Sequence, residues 1–151
     1  MRKFQCENMK KLAVLFVSIV TFLSIKEAQS DEEVFIRCSF YGTTCNLLIN
    51  NPQGIEFDGI EGNHTGGNTN DDILLVQGIY QDTRNVPSII CESFPNLQEI
   101  FLELSNVEVL TTTSFSACEN IEILFLGMNA ISVIPGGIFT TNHKLHTLMM
   151  F

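Results

Sequence analysis

Basic residues are scarce in this 151-residue chain, which has 8 Lys and Arg against 17 Asp and Glu. Five of the eight lie within residues 1–30, and only Arg37, Arg84 and Lys144 follow. Without residues 1–30 the chain keeps three basic and 15 acidic residues, a net charge near −12. A field of this sign repels nucleic acid and anionic membrane surfaces. We therefore expect no nucleic-acid partner.

Motifs for catalysis or cofactor binding are also missing from the sequence. It contains no glycine-rich phosphate loop, and its histidines, His64, His143 and His146, have no nucleophile or acid at a useful spacing. No CxxC or HxxxH spacing indicates zinc. Asp71 and Asp72 follow His64 in a glycine-rich stretch that fixes no ligand geometry. We expect no enzymatic activity, no cofactor and no metal site.

Only one long hydrophobic run is present, and it lies near the N-terminus. Residues 1–11 include four basic residues, residues 12–25 are mostly apolar, and residues 28–30 are small or polar. This order is typical of a secretory signal peptide. A membrane anchor that is not cleaved is the alternative, but the run is short against the ~20 residues that cross a bilayer. We predict that residues 1–30 are a signal peptide and that the protein is secreted, extracellular and without stable membrane insertion.

The cysteines predict two disulfides. Cys6 would leave with the signal peptide, and an even number in an oxidising compartment favours pairing. Four cysteines allow three connectivities. Cys38 and Cys45 are close in sequence, whereas Cys91 and Cys118 fall on neighbouring units of the repeat described below. We favour Cys38–Cys45 and Cys91–Cys118; buried thiols at 91 and 118 are the alternative.

Residues 31–72 predict an N-terminal cap followed by a flexible loop. Apolar and polar residues alternate around the first two cysteines, and residues 45–49 have the composition of a strand. A cap is needed because the first coil of a solenoid would otherwise expose its apolar end. Residues 61–72 contain no large apolar side chain and include the sequon Asn63-His64-Thr65. We predict glycosylation of Asn63; an unmodified loop is the alternative.

Residues 73–151 repeat their apolar positions with a period of 24 residues. The segment from Leu97 returns from Ile121 and again from Leu145. Later positions keep the register as the pairs Val107/Ile131, Leu110/Ile134 and Phe115/Phe139. The segment from Ile73 is a degenerate first unit with Gly78 in place of a leucine. A fixed period of this length predicts stacked units that bury their apolar sides against one another.

The unit that begins at Ile121 resembles an extracellular leucine-rich repeat. The matching residues are Ile121, Leu124, Leu126, Asn129, Ile131, Ile134, Pro135 and Phe139. The unit over 97–120 has Ser105 in place of the asparagine, and residues 145–151 resemble the opening strand of a third repeat. The paired cysteines, residues 95–97 and the asparagine-rich loop are similar to secreted insect members of the family. The resemblance covers about residues 73–151. It implies an α/β leucine-rich repeat solenoid, with short parallel strands on a concave face, loops or short helical turns on the convex face, and an N-terminal disulfide cap.

Asn129 and Ser105 stand at the exits of the expected strands. The amide of Asn129 can both donate and accept, so we expect it to bond the backbone of adjacent coils. A hydroxyl can do this only in part, and the unit that contains Ser105 is expected to be less rigid there.

In leucine-rich repeats, the strand residues between the inward positions face the concave side, where such proteins bind partners. Phe101, Phe125 and Met149 fall at one such register position. The charged residues beside them are Glu99, Glu103 and Glu122. Exposed apolar patches rimmed by charge mark interaction sites. We predict that this row and Glu103 bind a partner; coverage by the cap, the loop or a further C-terminal part is the alternative.

These features together predict a non-enzymatic protein that binds an extracellular protein partner. Similarity to the insect proteins implies a role in innate-immune recognition. The alternatives are a structural repeat protein of the extracellular matrix and the N-terminal part of a receptor ectodomain. The chain stops at Phe151 without a polar end repeat, and solenoids need an end cap. We therefore expect either a longer product or a dimer formed through the uncapped C-terminal edge.

Overall fold

The computed structural model describes residues 33–151 as a repeat solenoid built on a mainly parallel sheet. The predicted signal peptide lies outside the described residues. The strands are β1 Phe35–Tyr41, β2 Thr44–Leu48, β3 Asn50–Asn51, β4 Gly59–Glu61, β5 Leu75–Gln77, β6 Asp82–Thr83, β7 Glu99–Phe101, β8 Ile123–Phe125 and β9 Thr147–Met149. Within this range, helical structure consists of the 3₁₀ turn Asn70–Asp72 and the short helix α1, Ile89–Ser93. The expected α/β class therefore holds only loosely, because strands dominate.

The repeat interval becomes the strand register. Among the described residues the main sheet has seven strands in the order β4-β1-β2-β5-β7-β8-β9, and β3 pairs with β6 in a second, small sheet. Strands β5, β7, β8 and β9 are parallel. Their central residues form one row of successive neighbours, Val76, Ile100, Leu124 and Leu148. Each step across this part of the sheet is thus one coil of the repeat. The predicted stacking of units is confirmed.

The core is formed by the inward residues of each coil. In β5, β7 and β8 the central residue is fully buried, whereas its two neighbours are only half-buried, because alternate side chains of a strand point to opposite faces. Leu110 and Phe115 close the opposite side of the core, as their register predicts. Ile134, one repeat after Leu110, is 51% exposed, because no described coil packs beyond it.

The N-terminal cap is part of the same sheet. Strands β1 and β2 form an antiparallel hairpin whose turn contains Gly42, with a φ of 56° that favours glycine. Ile36, Cys38 and Phe40 point into the core. Strand β2 then pairs in parallel with β5, and Cys45 lies beside Val76. The cap therefore buries the apolar side of the first coil by continuing its sheet.

Two disulfides connect Cys38 with Cys45 and Cys91 with Cys118, the pairing that the sequence favoured. The first joins the two strands of the hairpin. The second joins α1 to the following coil, with the two Cα atoms 4.8 Å apart. Cys91 also occupies the register position that Phe115 fills one repeat later, and both side chains are buried.

The loop over residues 61–72 has more structure than its composition indicates. The ring of His64 stacks on Phe40 with the centroids 3.8 Å apart. Asn68 donates a hydrogen bond to the Gly42 carbonyl at 2.8 Å, and Thr69 and Asp72 form a capping box. Asn63 nevertheless remains exposed. The loop is therefore fixed to the hairpin through His64 and Asn68, while Asn63 and Thr65 of the sequon are exposed.

Candidate binding face

The sheet has one face turned away from the core, which we call the open face; it corresponds to the expected concave side. Between β5 and β9 the strand register places residues of this face in two rows. One row consists of Leu75, Glu99, Ile123 and Thr147, and the other of Gln77, Phe101, Phe125 and Met149. The second row contains the three predicted partner-binding residues Phe101, Phe125 and Met149, which we call the stripe.

The three stripe residues are direct neighbours and are each half-buried. The rings of Phe101 and Phe125 meet edge to face, with centroids 4.6 Å apart and an interplanar angle of 88°. This is a preferred aromatic geometry. Each ring therefore covers part of the other and fixes its orientation, so that the exposed part of the stripe is held in place before any partner arrives.

The same row becomes polar toward the cap. Gln77 donates a side-chain hydrogen bond to Asn46 on β2, and Asn46 donates to the Ser39 carbonyl on β1. The row thus changes from amide groups over the hairpin to apolar side chains over β7, β8 and β9. The hydrogen bonds of the loop over 61–72 run to residues other than the stripe.

Three glutamates lie around the stripe, and all are half-buried. Glu99 is in the neighbouring row beside Ile123. The Oε1 atom of Glu103 lies 3.7 Å from the position that a Cβ at Gly127 would occupy, which places this carboxylate close to the end of β8. Glu122 lies 3.7 Å from the Nε2 atom of His146. The predicted residue Glu103 is therefore positioned beside the stripe.

The Lys and Arg residues of 33–151 lie away from the stripe. Arg37 is exposed on β1 between the buried Ile36 and Cys38, so it lies on the open face over the hairpin, where strands β2 and β5 separate it from the stripe. Arg84 pairs with Glu108 at 3.2 Å, and Lys144 donates to the Asn120 side chain at 2.8 Å. The segments 74–80, 98–104, 122–128 and 146–151, which carry the stripe and the side chains around it, contain the three glutamates and no Lys or Arg.

A side-chain ladder aligns the strand exits. Asn129 accepts from the backbone N–H of Ser105 and of Val107, at 2.9 and 3.1 Å, and donates to the Leu102 and Leu126 carbonyls at 2.7 and 2.9 Å. All its polar capacity is used, as predicted from its type and position.

One coil earlier, Ser105 continues this ladder. Its hydroxyl donates to the Gly78 carbonyl at 2.8 Å and accepts from the backbone N–H of Gln81 at 3.2 Å. Gln81 stands one further repeat back, and its side chain accepts from the Ile49 N–H at 2.6 Å. Gln81 was not predicted, because the repeat pattern is degenerate around Gly78 and the asparagine position is filled there by a different residue type.

A second row of large side chains follows the stripe at the strand exits. Tyr80, Leu104 and Met128 occupy the same position in successive coils, and we call them the rim. All three have left-handed backbone, with φ values of 61°, 53° and 55°. Their N–H groups donate to carbonyls one coil further along, and these hydrogen bonds hold each coil in the same conformation. The apolar period of the sequence carries no signal for φ, so the rim was not predicted.

The rim residues are unusual for their backbone conformation. Left-handed φ is adopted readily by glycine and more often by Asn or Asp than by bulky residues, for which it costs about 1 kcal/mol or more. Tyr80 is 77% exposed and Met128 is 70% exposed, so these two side chains gain little burial in return. Within the described chain, folding alone gives no reason for large apolar residues here.

The histidines take positions unrelated to one another. His64 packs in the cap, where its Nε2 atom lies 2.7 Å from the Asn70 side chain. His143 is exposed, and His146 is on the edge of the open face. Over residues 33–151 no group of three His, Cys, Asp or Glu side chains could hold a metal ion.

Comparisons with known proteins do not assign the chain to a family. No protein-family model matches it, and no curated protein shows significant similarity to it. In the part of the chain that the structure describes, no helix has the length and apolar character to cross a membrane.

Proposed function

We propose that this chain is a secreted, non-enzymatic leucine-rich repeat protein that binds another protein through the open face of its sheet. The observation that carries the proposal is the stripe of Phe101, Phe125 and Met149, three neighbouring apolar side chains on the face turned away from the core. Apolar patches bordered by charge are characteristic of interaction sites. Aromatic side chains and Met are also enriched in protein interfaces.

The leucine-rich repeat assignment draws support from three features. The period is 24 residues, each described coil contributes one short parallel strand, and Asn129 bonds the backbone of two coils at the strand exit. Parallel strands joined by short coils expose a broad surface, and repeat solenoids bind partners on such surfaces. The proposed role in innate-immune recognition depends on the resemblance to secreted insect proteins.

Secretion is supported by the disulfides together with the N-terminal sequence. Disulfides form and persist in oxidising compartments, and two are present. Residues 1–30 have the order of a signal peptide. Expression of the full chain in secretory cells, followed by N-terminal sequencing of the protein in the medium, tests this part; retention in the cells would contradict it.

The binding role is tested by placing charge in the stripe. Phe125→Asp puts a carboxylate at its centre, and we expect it to abolish capture of partners from extracellular fractions of the source tissue. Val133→Asp is the matched control, because Val133 is exposed and away from the stripe. Far-UV circular dichroism and thermal melting establish that both variants are folded. Equal capture by Phe125→Asp and the wild-type chain would contradict the proposal.

A further inference from the structure

We infer that the binding site extends from the stripe to the rim, and that its occupant is an extended, basic segment of a partner protein with an apolar anchor. This inference rests on the proposed binding function and specifies the partner of the same face. Stripe and rim lie three register positions apart on the same coils, with Glu103 directly before the rim residue Leu104.

The rim supplies the first argument. Its residues combine unfavourable backbone with high exposure at Tyr80 and Met128, so these side chains do not serve the packing of residues 33–151. An asparagine at the same positions would fit the left-handed backbone better. Contact with a second molecule, which would bury them, explains the large side chains at Tyr80 and Met128.

Charge determines which kind of partner fits. The stripe is surrounded by Glu99, Glu103 and Glu122. The strand segments that carry the stripe and these glutamates contain no Lys or Arg. An acidic segment would bring like charges together on this face, whereas Lys or Arg side chains would meet the carboxylates. The apolar parts of the same long side chains can lie along the stripe while the charged ends reach the glutamates.

The dimensions favour an extended segment. Neighbouring strands lie about 4.8 Å apart, so the three steps from β5 to β9 span about 15 Å. An extended chain covers this distance with about five residues, at about 3.3 Å per residue. Such a segment can cross all four strands and place one apolar side chain between stripe and rim.

Met128→Asn tests the rim separately from stability. Asparagine suits a φ of 55°, so we expect the melting temperature to stay the same or rise by about 2–5 °C. Affinity for the partner should fall at least about five-fold, because apolar contact area is lost. Met128→Leu keeps the apolar area and should bind normally. A Met128→Asn protein that binds like the wild type would overturn the role of the rim.

Synthetic peptides of about eight residues test the chemistry of the occupant, since this length spans the strands. We expect a peptide of alternating leucine and lysine to bind the full mature chain, and the leucine–glutamate and leucine–serine peptides to bind at least about ten-fold more weakly. Isothermal titration calorimetry at two salt concentrations should show weaker binding at high salt. Equal binding of all three peptides would overturn the basic partner class.

The triple variant Glu99→Gln, Glu103→Gln, Glu122→Gln should bind the leucine–lysine peptide at least about five-fold more weakly. Its control, Glu56→Gln, Glu92→Gln, Glu119→Gln, removes the same charge from exposed positions outside the open face and should bind normally. Equal weakening in both variants would mean that net charge alone attracts the peptide, and would overturn the inference.

The two proposals fail in different ways. If peptides bind through Phe125 but neither charge nor the rim matters, the binding face stands and the basic partner is wrong. If the leucine–lysine peptide binds Phe125→Ser, which removes the ring without adding charge, as well as the wild type, the stripe itself is wrong. If no peptide binds and the chain instead dimerises in sedimentation experiments, with Met128→Asn dissociating the dimer, the occupant is a second copy and the inference is overturned.

Discussion

The side-chain oxygen of Asn129 accepts a hydrogen bond from the backbone N–H of Ser105, 24 residues earlier, at 2.9 Å. The same amide donates to carbonyls of its own coil and of the preceding one. Because one planar amide group bonds the backbone of both coils, it fixes the spacing and register between them. The stripe depends on this register, since Phe101 and Phe125 meet edge to face only when β7 and β8 are aligned.

Replacement of Asn129 by alanine should therefore be costly. It leaves two N–H groups and two carbonyls in a half-buried position without their partner. We expect a loss of about 2–4 kcal/mol in the free energy of unfolding, measured by urea denaturation. Asn96→Ala is the control, because that exposed amide makes one bond to the Asp71 carbonyl. A similar loss in both variants would show that the ladder adds nothing special.

Leu124→Ala tests the core between coils. Leu124 is fully buried and lies between Ile100 and Leu148. Truncation should cost about 2–5 kcal/mol, from lost burial and from the cavity that remains. The matched control is Leu48→Ala, at an exposed strand position, which should cost well under half as much. Equal losses in the two variants would contradict the assignment of Leu124 to the core.

The two disulfides should differ in their effect on stability. Cys91–Cys118 closes a separation of 27 residues and Cys38–Cys45 one of 7. In the loop-closure entropy model, paired alanine substitutions that remove the longer link lower the free energy of unfolding by about 3.5 kcal/mol. Removal of the shorter link lowers it by about 2.5 kcal/mol. Denaturant melts of the two double variants measure this order. Peptide mapping without reduction checks the pairing itself, and a peptide that joins Cys45 to Cys91 would contradict it.

Asn63 is the predicted glycosylation site. Its side chain is exposed, so a glycosylating enzyme can reach it. Protein secreted from eukaryotic cells should be heavier than its sequence, and Asn63→Gln and Thr65→Ala should each remove the added mass. The residue follows β4, and strands β1, β2 and β5 separate it from the stripe. Partner binding should accordingly be the same with and without the glycan, and a difference would contradict this placement.

The sequence predicts the parts of the fold that depend on apolar periodicity. Residues one repeat apart, such as Ile100 and Leu124, are neighbours in the sheet, and the same spacing predicts the row of stripe residues. Gly78 broke the pattern for a reason that only the structure provides. A Cβ at this position would lie 3.0 Å from Gln81, 3.2 Å from Leu102 and 3.3 Å from Leu47, so side chains of its own coil, the next coil and the cap fill the space where a leucine was expected.

Other features depend on properties that periodicity does not report. The left-handed backbone of Tyr80 and Met128 arises from hydrogen bonds between coils, and no residue type there signals it. The loop over 61–72 has the composition of a flexible segment, but the contacts of His64 and Asn68 with the hairpin are made by residues distant in sequence. The partner-binding role of the stripe stays a prediction.

The antiparallel hairpin at the head of the sheet gives assembly a direction. Strands β1 and β2 are joined by a short turn and can pair at once, whereas each later parallel pairing must first close a full coil of chain. We expect the hairpin to form first and to serve as a template on which coils add in sequence order. Pulse-labelled hydrogen exchange would then protect the amides of β2 before those of β7, and those of β8 last.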